Sequence, residues 1–193
     1  DIVLGVLLGL AAIVTTFAAY KASLISDEVI SNYNQGIRKV DEASQLWTEG
    51  NQFRAEDQAV FLEWMKAVQT DDIVFADYIQ NNLMSVELLA GLEWWNEHTE
   101  VSTPFTEENP DYRLLQFDDA RALDEEVEKH FNAAADADAA SDSYEFVTVL
   151  MAIVLFFLGI AGVTARRRLQ TGFLATGAVL FAASLVILGL ILI

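Results

Sequence analysis

The chain has 193 residues, 53% of them hydrophobic, with 29 Asp and Glu against 11 Lys and Arg and a formal net charge of −18. So large an excess of negative charge repels nucleic acid and anionic lipid headgroups, which makes both poor partners. There is no cysteine, so disulfides and thiolate-ligated zinc or iron–sulfur centres are excluded too.

The average conceals segregation. Residues 21–143 hold 27 of the acidic and 8 of the basic side chains, whereas the two ends are almost free of charge. Ile2–Tyr20 carries none, and Thr15 and Thr16 are its only hydroxyls before Tyr20. About 20 apolar residues in a helix cross a hydrocarbon core of about 30 Å. The run is longer than the apolar part of a signal peptide, so it predicts a first span, with Tyr20 and Lys21 as interfacial anchors. Gly5 and Gly9 stand at GxxxG spacing, which lets two helices approach closely. Because the chain starts at Asp1 without Met and stops inside an apolar run, further residues are expected beyond both ends.

From Ala22 to Thr70 there is no proline, and apolar residues recur at intervals of three and four. One row includes Tyr33, Ile37, Val40, Trp47 and Phe61; its neighbour includes Phe53, Asp57 and Trp64. Two adjacent rows predict a helix buried against more than one partner. Gly36 and Gly50 are where a bend or break is expected, each weakening a helix by about 1 kcal/mol relative to Ala. Arg54 and Asp57 read as surface residues, with a buried ion pair or an intersubunit contact as the alternative.

Asp71-Asp72 is a capping signal for a second helix to residue 98. The segment Thr99–Asp111, with Pro104 and Pro110, reads as the one clear loop, and a third helix follows from about Tyr112. At about 1.5 Å per residue these helices rise about 75 Å, return about 40 Å and descend about 48 Å, leaving about 13 Å for the loop. Trp94-Trp95 with Phe105 and Tyr112 read in two ways. Either they form an exposed patch for a partner, or one tryptophan packs inward while the other covers the helix end.

The last third holds two more apolar runs, Phe146–Ala165 and Leu169–Ile193, around Arg166-Arg167-Arg168. A short basic connection between spans is retained on the cytoplasmic side. Gly159 and Gly162 add small residues at which spans can meet.

No catalytic chemistry, metal or cofactor is expected. Di-iron bundles use Glu-x-x-His, but Trp95 precedes His98 and Val127 precedes His130 by three. The acidic runs near Asp118 and Asp124 lack the spaced ligands and glycine of a calcium loop. No phosphate loop or nucleophile–base arrangement is present.

Ala43-Ser44-Gln45-Leu46-Trp47, with Gln52 and Arg54, resembles the Ala-Ser-x-x-Trp helix of an uncharacterised family of small prokaryotic membrane proteins. That resemblance implies one span, a helical outer segment and a closing pair of spans, and no activity.

The expectation is an all-α membrane protein: three transmembrane helices with an elongated antiparallel helical ectodomain between spans 1 and 2. Its parts are span 1 (1–20), an acidic ectodomain (21–143, helices about 21–70, 72–98 and 112–143), span 2 (144–165), an Arg turn (166–170) and span 3 (171–193). The expected partners are membrane lipid and either further copies of the chain or a larger membrane complex, with no nucleic acid. The expected role is structural or accessory, in the cell membrane. The alternative is an oligomeric cation channel with an acidic outer vestibule.

Overall fold

The computed structural model describes residues 2–98 and 100–192. Among these residues it forms five helices and no strand: α1 (Ile2–Gln69), α2 (Ile73–Asn82), α3 (Val86–Glu97), α4 (Leu115–Val163) and α5 (Arg167–Ile191). Helices α1, α4 and α5 each contain a stretch long and apolar enough to cross a membrane.

Helix ends follow local chemistry. Asp71 takes a left-handed φ of 57°, while its amide reaches Val68 O and the Asp72 amide reaches Ala67 O. This pair of bonds satisfies the last carbonyls of α1, as a glycine usually does. The Asp72 carboxylate then accepts from Phe75 N and caps α2. The single helix expected over 72–98 is in fact two. Asn81 and Asn82, weak helix formers, turn their side-chain amides onto the carbonyls of Asp77 and Tyr78. Ser85 then caps α3 by accepting from Leu88 N at 2.9 Å. The loop is also longer than expected, since α4 starts at Leu115 rather than near Tyr112. The connection between α4 and α5 is Thr164–Arg166, so Arg167 and Arg168 belong to the first turn of α5 rather than to a turn over 166–170.

The chain divides into two compact units. The first comprises Asp1–Gly36 and Glu128–Ile193. Its core sets small residues of α1 (Ala11, Ala18, Ala22) against large ones of α4 (Val147, Met151, Leu158), with Phe181 and Leu188 of α5. Buried Gly177 lies beneath Leu158, whose Cδ2 would stand 2.8 Å from a Cβ there. Seven hydroxyls of the apolar helices, those of Thr15, Thr16, Thr148, Thr164, Thr171, Thr176 and Ser184, each donate to the carbonyl four residues earlier. Polar atoms in an apolar medium must find such a partner. Ser141 Oγ instead donates to Ala22 O on α1 at 3.1 Å.

The second unit is Ile37–Val127. It gathers the C-terminal part of α1, α2, α3 and the start of α4 around Phe61, Leu88, Leu92 and Phe105, with Ala67, Ala76 and Ile79 packed close by.

Helix α1 continues through Gly36 and Gly50, so neither glycine breaks it. Both glycines are buried under aromatic rings of α4: Phe131 covers Gly36 and Phe117 covers Gly50. The packing of each ring offsets the intrinsic weakness of the glycine. Burial on α1 recurs every seven residues, at Ala22, Val29 and Gly36 in the first unit and at Ala43, Gly50 and Asp57 in the second. Seven residues make two turns to within about 20°, so one narrow face stays against its neighbour.

Candidate interaction surface

Within the second unit the loop between α3 and α4 is held by side chains rather than by secondary structure. Buried Asn109 donates from Nδ2 to Gly91 O at 3.0 Å and to Pro104 O at 2.8 Å. Its Oδ1 accepts from the amides of Asp111 and Tyr112. Arg54 Nη2 donates to Phe105 O at 2.7 Å, tying the loop to α1. Tyr112 donates its hydroxyl to Asp57 Oδ2 at 3.0 Å. Burial, and then the Asp57 charge, push the Tyr112 phenol well above its ordinary pKa. Asp57 itself is 94% removed from solvent, so the alternative to a surface placement holds in part. It is buried, but its partner is Tyr112 and not Arg54.

Helix α4 is fastened to α1 by polar contacts as well. Trp47 Nε1 donates to Asp124 Oδ2 at 3.2 Å, and its ring packs on Phe117 with centroids 5.2 Å apart. Lys39 Nζ lies 3.1 Å from Glu126 and 3.2 Å from Glu42. Those hydrogen bonds raise its pKa.

Two kinds of hollow result. One, of about 680 Å³, lies among Trp47, Arg54, the loop and Arg121. Its guanidinium groups are already engaged, since Arg54 holds Phe105 O and both Arg113 and Arg121 pair with Asp118. The other is a shallow groove made of two adjoining hollows, of about 420 and 230 Å³, which share Val60 and Leu83. Phe53, Phe75 and Ile79 extend its apolar floor, and Glu56, Glu63 and Glu87 stand along it. Leu83 is 50% exposed and Phe53 46%. Among the described residues no group of three or more His, Asp or Glu is placed to hold a metal ion.

No family model, curated protein or solved structure matches this chain. The surface has to be understood from its own chemistry.

The residues singled out from sequence fall in several places. Phe61 is buried and Trp64 half-buried beside it, with ring centroids 6.0 Å apart. Trp95, Phe105 and Tyr112 do not form an exposed patch. Phe105 is buried against Phe61 and Tyr112, while Trp95 packs edge-on to Phe61 and donates to Val101 O at 2.6 Å. Trp94 is the ring left to cover the helix end, stacked on His98 with centroids 3.9 Å apart. Tyr33, Ile37 and Val40 remain 43%, 52% and 42% exposed.

Among the described residues no atom comes within 4 Å of a Cβ position at Gly5, Gly9 or Gly159, so these glycines bring no described helices together. Gly162 meets Leu4 at 3.3 Å. The glycines that admit close neighbours are Gly36, Gly50, Gly91 and Gly177. Gly36 and Gly50 are fourteen residues apart, and so are Phe117 and Phe131. That matched spacing was the available signal. Arg166, Arg167 and Arg168 are all exposed at the α4–α5 connection.

Proposed function

We propose that the chain is a structural or accessory integral membrane protein with three spans, acting through self-association or by binding another membrane component with an acidic, antiparallel helical ectodomain. One observation carries it: within the second unit Ile37 and Val40 stand three residues apart on one face of α1, and the chain leaves them 52% and 42% exposed. Aligned apolar side chains left open outside the apolar runs mark a surface for another protein. The antiparallel arrangement is supported by pairs whose numbers run in opposite order on α1 and α4, Lys39 with Glu126 and Trp47 with Phe117. The seven-residue interval of burial along α1 supports coiled-coil packing of the two helices.

The spans are read as non-conducting. Their seven back-bonded hydroxyls are committed to their own helices, whereas a permeating ion needs ligands to replace its water. Ala43 is buried, and Trp47 and Arg54 each tie α1 to another segment. This supports, as a proposal, kinship with the small membrane protein family whose Ala-Ser-x-x-Trp helix the stretch resembles.

Native mass spectrometry of the full chain, extracted in mild detergent, tests the role. The expected result is more than one copy or a stoichiometric membrane partner; a bare monomer throughout the concentration range would overturn it. The sidedness has its own test, because the basic connection argues for a cytoplasmic Arg166–Arg168 and an external 21–143. A cysteine replacing Glu107 is expected to react with an impermeant thiol reagent on intact cells, and one replacing Gln170 only after lysis. The reverse pattern would invert the topology.

A further inference from the structure

The groove beside α2 combines an apolar floor with one sign of charge. Its floor runs from Phe53 through Val60 and Leu83 to Phe75, and Glu56, Glu63 and Glu87 stand along it. From Ala55 to Tyr112 the chain carries thirteen Asp and Glu and a single basic residue, Lys66. Lys66 is itself bound to Glu63 at 2.7 Å. Among the described residues nothing covers Phe53, Phe75 and Leu83 of the floor, which remain 46%, 45% and 50% exposed.

We infer that this groove receives a basic amphipathic helix of a protein partner. The inference deepens the accessory role proposed above and rests on it. Apolar anchors at intervals of three and four fit a groove of this kind, and Lys or Arg flanking them complement the Glu rim, which sets specificity and encounter rate. Charge argues against the other occupants. A second copy would bring its own excess of carboxylates to the groove. Its one basic cluster, Arg166–Arg168, joins two apolar helices and in the proposed topology stands on the other side of the membrane. Anionic lipid is repelled for the same electrostatic reason.

The test is calorimetric titration of the full chain, in uncharged detergent, with three synthetic peptides. The first has leucine at helical intervals of three and four with lysine elsewhere. The second has the same composition with the leucines dispersed, and the third replaces each lysine by glutamate. The first is expected to bind at least about tenfold more tightly than either control. Phe53→Ser and Leu83→Ser are each expected to weaken it by about tenfold, as loss of a central apolar contact does. A Glu56→Gln/Glu63→Gln/Glu87→Gln variant, altered at the rim rather than in the core, is expected to bind more weakly and with less dependence on salt.

Equal binding of the dispersed peptide overturns the inference, because bulk charge then suffices. So does indifference to Leu83→Ser, and so does self-association that the groove variants abolish, which makes a second copy the occupant. If no peptide binds while native spectra still show an oligomer or partner, the groove is refuted and the accessory role stands.

Discussion

Gly50→Leu is expected to destabilise the second unit by about 2 kcal/mol, within the range of about 1–3 kcal/mol for overpacked cores. Gly50 is buried, and a Cβ there would lie 2.6 Å from Phe117 Cε1 and 2.9 Å from Cδ1. Phe117 also packs on Trp47, one turn earlier on the same face of α1, and Trp47 is held in turn by Asp124, so moving the ring off Gly50 disturbs that pair as well. Helix propensity works in the opposite direction, favouring leucine over glycine by about 0.8 kcal/mol, so the steric term has to win for the net effect to be a loss. Thermal melts followed by circular dichroism measure it. Adding Phe117→Ala is expected to recover part of the loss, a coupling of about 1–2 kcal/mol between residues in contact. If Gly50→Leu melts at the wild-type temperature, the ring has room to move and the seat is not tight.

Asn109→Ala is expected to cost about 3–4 kcal/mol, concentrated in the loop between α3 and α4. Its side chain makes two donated and two accepted bonds, and alanine removes all four. Pro104 O then loses its donor in the interior, a loss of about 1–3 kcal/mol for a buried polar group left without a partner, while Gly91 O keeps its place in the α3 ladder. Hydrogen exchange resolved by peptide is the suitable measurement, because the loss should appear as faster exchange over 100–114 while α5 keeps its protection. Asn109→Asp is expected to fail as well, since a carboxylate cannot donate to two carbonyls. Unchanged exchange in Asn109→Ala would mean that Arg54 and Tyr112 hold the loop unaided.

What was legible in the sequence was whatever is written locally. The three apolar runs, the long helix after Tyr20 and the Asp71-Asp72 signal depend on a few neighbouring residues, and all have counterparts in α1, α2, α4 and α5. The break at Leu83–Ser85 was less visible because Phe75, Ile79, Leu83 and Val86 keep a helical interval across it. Only the two asparagines and the Ser85 cap distinguish it from one continuous helix. The glycines show the limit more sharply. Gly5 and Gly9 match a familiar spacing yet meet nothing among the described residues, whereas Gly36 and Gly50 looked like weak points and serve as seats for rings. A glycine's role depends on what stands opposite, and that is fixed by tertiary register rather than by its neighbours in sequence. The same holds for Trp95 and Tyr112. Their ring type announces importance, but only the loop held by Asn109 determines that they face inward.

The four tryptophans of the chain, Trp47, Trp64, Trp94 and Trp95, all belong to the second unit, and the first unit has none. Intrinsic fluorescence excited in the red edge of the protein band therefore reports on the second unit alone. Trp47 beside Asp124 and Arg121, and Trp95 beside Phe61, sit in surroundings of different polarity, so they should emit at different wavelengths. The first unit, which holds the apolar runs, is silent in that window, so the second unit can be followed optically by itself.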